Sequence, residues 1–244
     1  MKNIKLISEY DGTNYCGFQK QKNGNTIQGE IEKGLRQICR EPISIVSSGR
    51  TDSGVHAKGH AVSFRTNADL SPVNILGGLN ACLPSDIVIK KAAFVPVSFH
   101  AQYDAKRKIY TYFVWNGTYP SPLRRLYSFH YSYRLDYNIM KRASRILCGR
   151  NDFRAFSAES KKKKNTVRTL HEIRIRKKGN EYTFRFDGDG FLYNMVRNIV
   201  GTLLYAGRGK FSVADIRSIL KSKNRANAGP TVPAHGLILT KVIY

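Results

Sequence analysis

The class of fold is indicated by the segment Ile173-Arg174-Ile175-Arg176-Lys177-Lys178-Gly179-Asn180-Glu181-Tyr182-Thr183-Phe184-Arg185-Phe186. Apolar and polar side chains alternate on both sides of Gly179-Asn180, which is the pattern of two half-buried strands joined by a tight turn. Strands joined in this way are antiparallel, and one face of the pair is apolar. The sequence therefore predicts a sheet rich in antiparallel pairs, covered on its apolar face.

Outward from this hairpin, the chain repeats one order of elements. The first half is predicted to run β-α-β-β-α-β, with strands near 4–10, 43–48, 60–65 and 87–95 and helices from Ile27 and Pro72. The second half is predicted to follow a similar order. Its strands are expected near 108–115 and 127–132, in the hairpin, and at 237–244. Its helices are expected from Asp136 to Gly149, at 192–206, and after the capping pair Ser212 and Asp215. Such halves are typical of the split-βαβ, or ferredoxin-like, motif. We therefore expect an α+β fold of antiparallel-rich mixed sheets flanked by helices, with domains at 1–103 and 104–244.

Charge is the most unusual property of the chain. Its 244 residues carry 41 Lys and Arg against 17 Asp and Glu, a formal net charge of +24. A polyanionic partner offsets the self-repulsion of such a chain, which makes nucleic acid the favoured partner. The basic residues concentrate at 104–150 and 160–178, where they are interleaved with aromatic side chains that stack on unpaired bases in RNA-binding proteins. For the run Lys161–Lys164 taken alone, a solvated loop is the favoured interpretation.

The sequence argues against a membrane or secreted protein. No stretch approaches the roughly 18 apolar residues of a spanning helix, and the N-terminus leads into a strand without an apolar signal core. The four cysteines lie far apart with no CxxC pair, as expected of thiols in a reducing cytoplasm.

The densest cluster of functional groups is Gly49-Arg50-Thr51-Asp52-Ser53-Gly54-Val55-His56-Ala57, between two predicted strands. A carboxylate, an arginine and a histidine share one short loop flanked by glycines. A plain polar turn with Asp52 as a backbone acceptor explains part of this pattern. The number of reactive groups equally favours an active-site loop.

The order of these residues closely resembles the catalytic motif of the TruA family of tRNA pseudouridine synthases. Further motifs follow in the family's order along nearly the whole chain: Tyr10-Asp11-Gly12-Thr13 with Gly17-Phe18-Gln19, Lys108-x-Tyr110-x-Tyr112, Asp152-Phe153-x-x-Phe156, Phe191-Leu192-x-x-Met195-Val196-Arg197-Asn198, and Pro230-Thr231 followed by Gly236-Leu237. Phe18 departs from the family's usual Trp, which keeps an aromatic surface but loses an N–H donor.

The resemblance implies the pseudouridine synthase fold and an isomerase that converts uridine to pseudouridine in RNA. It makes Asp52 the catalytic aspartate. A carboxylate suits the reaction because it can attack C1′ as a nucleophile or remove a proton from C2′ to give a glycal, and attack on C6 of the base is a third route. The sequence does not choose among these routes.

Other roles are carried over in the same way. Tyr110 resembles the active-site tyrosine that stacks on the uracil, and Arg197 the basic residue that pairs with the aspartate and holds it ionised. Arg50 resembles the residue that fills the gap left by the flipped base. Leu237 is expected to line the uracil pocket or to be a plain core residue. His56 is expected either to contact a phosphate or to hydrogen-bond within its loop.

The family's usual substrate is the anticodon stem-loop of tRNA at positions 38, 39 and 40, and its members act as cytoplasmic homodimers. No cofactor and no metal are expected. Two alternatives remain at this stage. A metal nuclease could use Asp187-Gly188-Asp189-Gly190 or the pair His56 and His60, and a non-catalytic RNA-binding protein could use the same scaffold.

Overall fold

The computed structural model describes residues 1–22, 24–158 and 165–244. The run Lys161–Lys164, singled out by its charge, lies outside the described residues. The chain divides into two compact units, Met1–Lys106 with Ile238–Tyr244 and Arg107–Leu237. The domains predicted from the sequence, 1–103 and 104–244, stay a prediction.

The elements of the first hundred residues follow the predicted order. They are β1 (Lys2–Tyr10), α1 (Ile27–Cys39), β2 (Val46–Ser47), β3 (His56–Thr66), α2 (Pro72–Cys82) and β4 (Ile87–Val95). Local chemistry sets the helix starts, because the hydroxyl groups of Thr26 and Ser71 accept hydrogen bonds from the first turns of α1 and α2.

The remaining elements are β5 (Arg107–Trp115), β6 (Phe129–His130), α3 (Tyr137–Ile146), β7 (Gly149–Asp152), β8 (Val167–Lys178), β9 (Glu181–Gly188), α4 (Met195–Gly207), α5 (Val213–Ser222) and β10 (Leu237–Ile243). Asp136 caps α3 as predicted. The capping box of Ser212 and Asp215 at α5 is also confirmed, since each side chain accepts from the other residue's backbone N–H.

In the first unit, the strands lie in the order β4-β1-β3-β10, with β2 also paired to β3. β1 is antiparallel to both β3 and β4, whereas β10 is parallel to β3 and pairs Ile238 with His56. Fully buried side chains of β1, α1 and α2, among them Leu6, Leu35 and Leu79, form the core. Their burial is the main favourable contribution to folding of this unit.

In the second unit, β5, β9, β8 and β7 form an antiparallel sheet in that order, and β6 pairs in parallel with β5. The predicted hairpin is confirmed as β8 and β9, in which Ile175 pairs with Phe184 across the strands. The apolar members of the alternation are buried, and Tyr112 and Phe184 are completely so. The expectation of antiparallel-rich mixed sheets with flanking helices is therefore confirmed.

The structure differs from the sequence-based expectation at three places. The helix predicted at 192–206 begins at Met195, because its N-cap Asn194 has a left-handed φ of 57° that interrupts helical geometry. The strand predicted at 43–48 is reduced to Val46–Ser47. β7 was not predicted, since its short polar sequence has no alternating pattern. Among the helices that the described residues form, none is long and apolar enough to cross a bilayer.

Candidate functional site

Asp52 lies in the loop between β2 and β3 of the first unit. The loop closes in a turn, in which the backbone N–H of Val55 donates a 3.1 Å hydrogen bond to the Asp52 carbonyl. Gly54 has a φ of 75°, which favours glycine there. Asp52 is half-buried between the buried Thr51 and the exposed Ser53. Its neighbourhood is therefore fixed by the backbone while one side of the residue reaches solvent.

The segment after β1 holds this loop in place. The Tyr10 hydroxyl lies 2.8 Å from Thr51 Oγ1, and the Phe18 amide donates a 3.1 Å hydrogen bond to the Thr51 carbonyl. From within the loop, Ser53 Oγ donates to the Tyr15 carbonyl over 3.1 Å. Residues 10–18 and the Asp52 loop are thus one hydrogen-bonded assembly, although about 40 residues separate them in sequence.

Two glycines make this close approach possible. A Cβ at Gly12 would lie 2.1 Å from the carbonyl oxygen of Val55. At Gly17, where φ is 96°, it would lie 2.8 Å from the carbonyl oxygen of Thr51. Glycine is needed at both positions because any side chain would push the Asp52 loop away from residues 10–18.

The two histidines near the loop are buried and engaged separately. His56 Nδ1 lies 3.1 Å from Asp11 Oδ1 and 3.1 Å from the Gly12 amide nitrogen. His60 Nδ1 lies 2.8 Å from the Tyr10 hydroxyl. His56 is 2% exposed, so of its two predicted roles the burial favours hydrogen bonding within the loop assembly.

Phe18, which departs from the family pattern, is a core residue. Its ring is 1% exposed and lies 4.1 Å, centroid to centroid, from the imidazole of His60. An aromatic ring in this position packs without a hydrogen-bond donor, and the residue holds the Asp52 loop through its backbone N–H. Arg50, by contrast, is exposed at the start of the loop.

Tyr110 lies in the middle of β5 in the second unit, opposite Phe186 of β9. It is 8% exposed, and its ring meets the ring of Phe191 edge to face at 5.1 Å. Such an arrangement fixes the plane of the tyrosine ring. Leu237, at the first position of β10, is also buried.

Arg197 lies in the first turn of α4 and is half-buried. Its Nε donates a 2.7 Å hydrogen bond to the Val232 carbonyl, and its Nη1 donates over 2.8 Å to Asn194 Oδ1. A plain surface residue on an amphipathic helix was the alternative role for Arg197. The two hydrogen bonds instead aim a planar cation in a defined direction.

The sequence motif around Arg197 did not reveal the role of Asn198. Asn198 is fully buried and its amide donates a 2.7 Å hydrogen bond to the Phe156 carbonyl. Its Oδ1 accepts hydrogen bonds from Thr231 Oγ1 and Arg225 Nη2, at 2.5 Å and 3.0 Å. Three motifs that are distant in sequence therefore converge on this side chain. In the sequence, the presence of all three motifs in one chain was the signal that could have indicated this contact.

Of the tyrosines expected to stack on RNA, some are buried in the protein and one is exposed. Tyr110, Tyr112 and Tyr131 are buried, whereas Tyr127 is exposed. Burial raises the pKa of Tyr112 well above its usual value, and its hydroxyl donates a 2.8 Å hydrogen bond to the Pro233 carbonyl. Most of these rings therefore pack within the sheet.

Lys108 adds a positive charge at the start of β5. Burial lowers the pKa of its amine, the nearby Arg168 lowers it further, and Asp189 acts in the opposite direction. An anion bound next to Lys108 would stabilise its charged form.

The aspartates that a metal nuclease could use are engaged with other groups of the protein. Asp187 faces the guanidinium groups of Arg107 and Arg185, at 3.7 Å and 3.6 Å. Asp189 Oδ1 accepts a hydrogen bond from the Thr169 amide. Within the part of the chain that the structure describes, no three His, Cys, Asp or Glu side chains are grouped as metal ligands would be.

The structure thus groups the predicted site residues within each unit. Arg50, Asp52 and His56 belong to the Asp52 loop and its assembly in the first unit. Tyr110, Arg197 and Leu237 belong to the second unit.

Comparison with known proteins agrees with these motifs. The tRNA pseudouridine synthase family matches residues 6–104 and 143–244. A relative named tRNA pseudouridine synthase A in Clostridium acetobutylicum is 45% identical over 244 residues, covering all of both chains. The protein of that name in Acetivibrio thermocellus is 44% identical, again over the whole of both chains. The one in Bacillus licheniformis is 46% identical over 99% of this chain and 98% of its own. A chain that matches over its full length and carries a buried assembly around its Asp52 loop belongs to the tRNA pseudouridine synthase family, whose enzymes isomerise uridine in tRNA to pseudouridine.

Proposed function

We propose that this chain converts uridines 38, 39 and 40 of the tRNA anticodon stem-loop to pseudouridine, with Asp52 as the catalytic residue. The observation that carries the proposal is the Asp52 loop assembly. Residues 10–18 hold the loop that carries the half-buried Asp52 in place through backbone and side-chain hydrogen bonds. A carboxylate on a fixed and partly accessible loop suits a reaction in which it must be placed against one atom of the substrate.

The reaction is an isomerisation in which atoms and electrons balance without a co-reactant. The C1′–N1 glycosidic bond breaks, the uracil rotates, and a C1′–C5 bond forms. The proton on C5 then leaves, and N1 gains a proton. Since there is no net oxidation or transfer to an acceptor, the proposed reaction needs no cofactor.

The Asp52 carboxylate has one of three roles in this proposal. It attacks C1′ as a nucleophile, it takes the C2′ proton to give a glycal, or it adds to C6 of the base. All three routes need the carboxylate in its ionised form. Arg197 is proposed to hold it ionised, since an opposite charge favours the charged form.

The remaining site residues have supporting roles in the proposal. Tyr110, with its ring plane fixed by Phe191, stacks on the uracil and places its hydroxyl near the C5 proton. Arg50, which is exposed, occupies the space left when the target base leaves its stack. Leu237 lines the uracil pocket, and His56 maintains the loop through its contacts with Asp11 and Gly12.

The net charge of the chain supports RNA as the substrate, and the family resemblance supports a homodimer. A net charge of +24 favours a polyanion. We propose that the protein acts in the cytoplasm as a homodimer, with one tRNA contacting both subunits. Sedimentation of the protein with and without tRNA tests the dimer.

The activity is tested by mapping pseudouridine with carbodiimide treatment and primer extension. The substrate is tRNA from a strain that lacks this modification, incubated without added metal or nucleotide. The wild-type protein is expected to give new stops at positions 38–40, and Asp52→Asn none. Asp69→Asn is the matched control, because Asp69 is an exposed carboxylate in a surface ion pair with Lys2.

A binding measurement on the same proteins separates the alternatives. Stops at other positions would contradict the proposed target but not the reaction. Bound tRNA without stops would point to an RNA-binding protein without this activity. Cleavage of tRNA that a chelator prevents would point to a nuclease.

A further inference from the structure

Lys108 and Tyr110 lie on the same face of β5. Alternate side chains of a strand share a face, and these two are about 6.6 Å apart along it. The ring of Phe191 lies over this face, since it packs against Tyr110 at 5.1 Å and would lie 3.1 Å from a Cβ at Gly188. Gly188 is the residue of β9 that pairs with Lys108. The Lys108 side chain therefore lies on the same side of the sheet as the tyrosine assigned to the uracil.

The amine of Lys108 is accessible and has no hydrogen-bond acceptor in the protein. Lys108 as a whole is half-buried. Burial and the charges of Arg168 and Asp189 act on the pKa of its amine, and no hydrogen bond acts on it. Across the described residues, the nitrogen is not one of the unpaired polar atoms that are sealed from solvent. A half-buried ammonium without an acceptor is unfavourable, and an anion bound to it would stabilise it.

Arg168, in the first turn of chain of β8, supplies a second positive charge. Its Nη1 donates hydrogen bonds to the carbonyls of Asn165 and Val167, at 3.4 Å and 2.6 Å. Its Nε lies 3.4 Å from the position of a Cβ on Gly190, so the guanidinium lies against the loop that follows β9. Within the described part of the chain, the N–H groups on Nε and Nη2 make no hydrogen bond, and they remain for a ligand.

One carboxylate partly offsets the two cations. Asp189 is exposed, and its charge raises the pKa of the Lys108 amine against the effect of Arg168. Arg107 and Asp187 alternate to the other face of the sheet, where they face each other at 3.7 Å. Two cations and one carboxylate leave a single net positive charge. This charge matches the single negative charge of a phosphodiester in an RNA backbone.

These groups form an anion site beside Tyr110. Lysine and arginine side chains bind phosphate oxygens through charge-assisted hydrogen bonds. The spacing along β5 keeps such an anion next to the tyrosine ring and leaves the ring itself for a base. We propose that Lys108 and Arg168 bind a backbone phosphate that flanks the target uridine, and so hold the nucleotide whose uracil lies on Tyr110. The identity of the RNA and the place of its uracil rest on the proposed function.

The contact is tested by removing the charge on each side of it. The RNA is an anticodon stem-loop with uridine at position 39 as its one target. A methylphosphonate, which is neutral, replaces in turn each of the two phosphates that flank this uridine. Binding is measured in the Asp52→Asn protein, so that the RNA is not converted during the titration. Lys108→Met removes the amine and keeps most of the length of the side chain.

Lys108→Met is expected to weaken binding of the all-phosphate RNA about tenfold through the loss of a charge-assisted hydrogen bond. With the methylphosphonate at the recognised position, the same substitution should change binding less than about twofold, because the contact is already lost. Arg168→Gln is expected to show the same dependence on that phosphate. Lys91→Met, at an exposed lysine of β4, is the matched control. It should weaken binding of all the RNAs alike, by less than about twofold.

Thermal unfolding separates this role from a structural one. Lys108→Met removes a half-buried charge that lies near Arg168, so the melting temperature is expected to stay unchanged or to rise. A lower melting temperature, together with an equal loss of affinity for all the RNAs, would make Lys108 a structural residue and overturn the proposal.

The remaining outcomes are also decisive. An equal loss of affinity for the charged and neutral RNAs at unchanged stability would reflect general attraction to a basic surface and overturn the proposal. Unchanged affinity in Lys108→Met would overturn it as well. Pseudouridine mapping of the same stem-loop with Asp52 intact separates this site from the proposed reaction. Stops at position 39 without the phosphate dependence would contradict the site alone, and the phosphate dependence without stops would support the site and contradict the reaction.

Discussion

The side-chain amide of Asn198 in α4 donates a 2.7 Å hydrogen bond to the backbone carbonyl of Phe156. On its other side, Asn198 Oδ1 accepts from Thr231 and Arg225. One buried residue therefore joins α4 to two segments far from it in sequence. The residue before it, Arg197, donates to Val232 of the same terminal segment. The direction of the Arg197 guanidinium thus depends on the position that Asn198 fixes.

Replacing Asn198 with alanine is expected to destabilise the protein by about 2–4 kcal/mol, because the Phe156 carbonyl and the Arg225 guanidinium lose their partner in a buried place. Urea unfolding measures the change. Asn138→Ala, at an exposed position of α3, is the control and should alter stability by less than about 0.5 kcal/mol. Equal effects of the two substitutions would contradict the role of Asn198.

A second prediction concerns the contact between α4 and the terminal segment. A Cβ at Gly201 would lie 1.8 Å from the Pro230 carbonyl oxygen, so Gly201→Ala is expected to cost about 1–3 kcal/mol. The same change at Gly77 of α2, where a Cβ meets nothing within 4 Å, should stabilise the protein by about 0.5–1 kcal/mol. Opposite shifts in melting temperature are therefore expected. Shifts of the same sign would show that the terminal segment moves aside without cost.

The lowered pKa of the Asp152 carboxyl predicts that the free energy of unfolding depends on pH. Burial acts to raise the pKa of its carboxyl, but hydrogen bonds from Thr166 and the Arg154 amide and the ion pair with Lys223 outweigh it and hold the pKa below its usual value. The folded pKa is therefore lower than the unfolded value of about 3.9. The stabilisation is complete above that value and is lost as pH falls through the folded pKa.

Asp152→Asn is accordingly expected to destabilise the protein at pH near 7, and the difference from the wild type should shrink as the pH falls below about 4. Urea unfolding across a pH series measures this difference. Glu9→Gln removes a carboxylate from a surface ion pair with Lys90 and should cost at most about 1 kcal/mol. A difference for Asp152→Asn that grows on acidification would reverse the assigned sign.

The last prediction addresses the Asp52 loop. Gly12→Ala places a Cβ against the Val55 carbonyl and is expected to displace the loop. A displacement near 1 Å lowers turnover by about 100-fold. Single-turnover pseudouridine formation measures the loss, and tRNA binding measured in parallel should remain close to wild type. Gly77→Ala is again the control, with unchanged turnover. Full activity in Gly12→Ala would show that residues 10–18 do not position Asp52.

Local signals in the sequence were enough to predict several elements of the fold. Alternation over 173–186 predicted the hairpin, and single side chains at Asp136 and Ser212 predicted the helix starts that the structure has. The order of motifs around Asp52 was also sufficient to predict the family. Each of these signals lies within a few neighbouring residues, where backbone geometry and side-chain chemistry act directly on each other.

How those residues are held follows from contacts between segments that are distant in sequence. Nothing near Gly12 in sequence indicates the carbonyl of Val55, and nothing near Asn198 indicates Phe156 or Thr231. Steric contact, hydrogen-bond pairing and burial join atoms that are close in space but distant along the chain. No periodicity in the sequence records them, because they arise only when the core has packed.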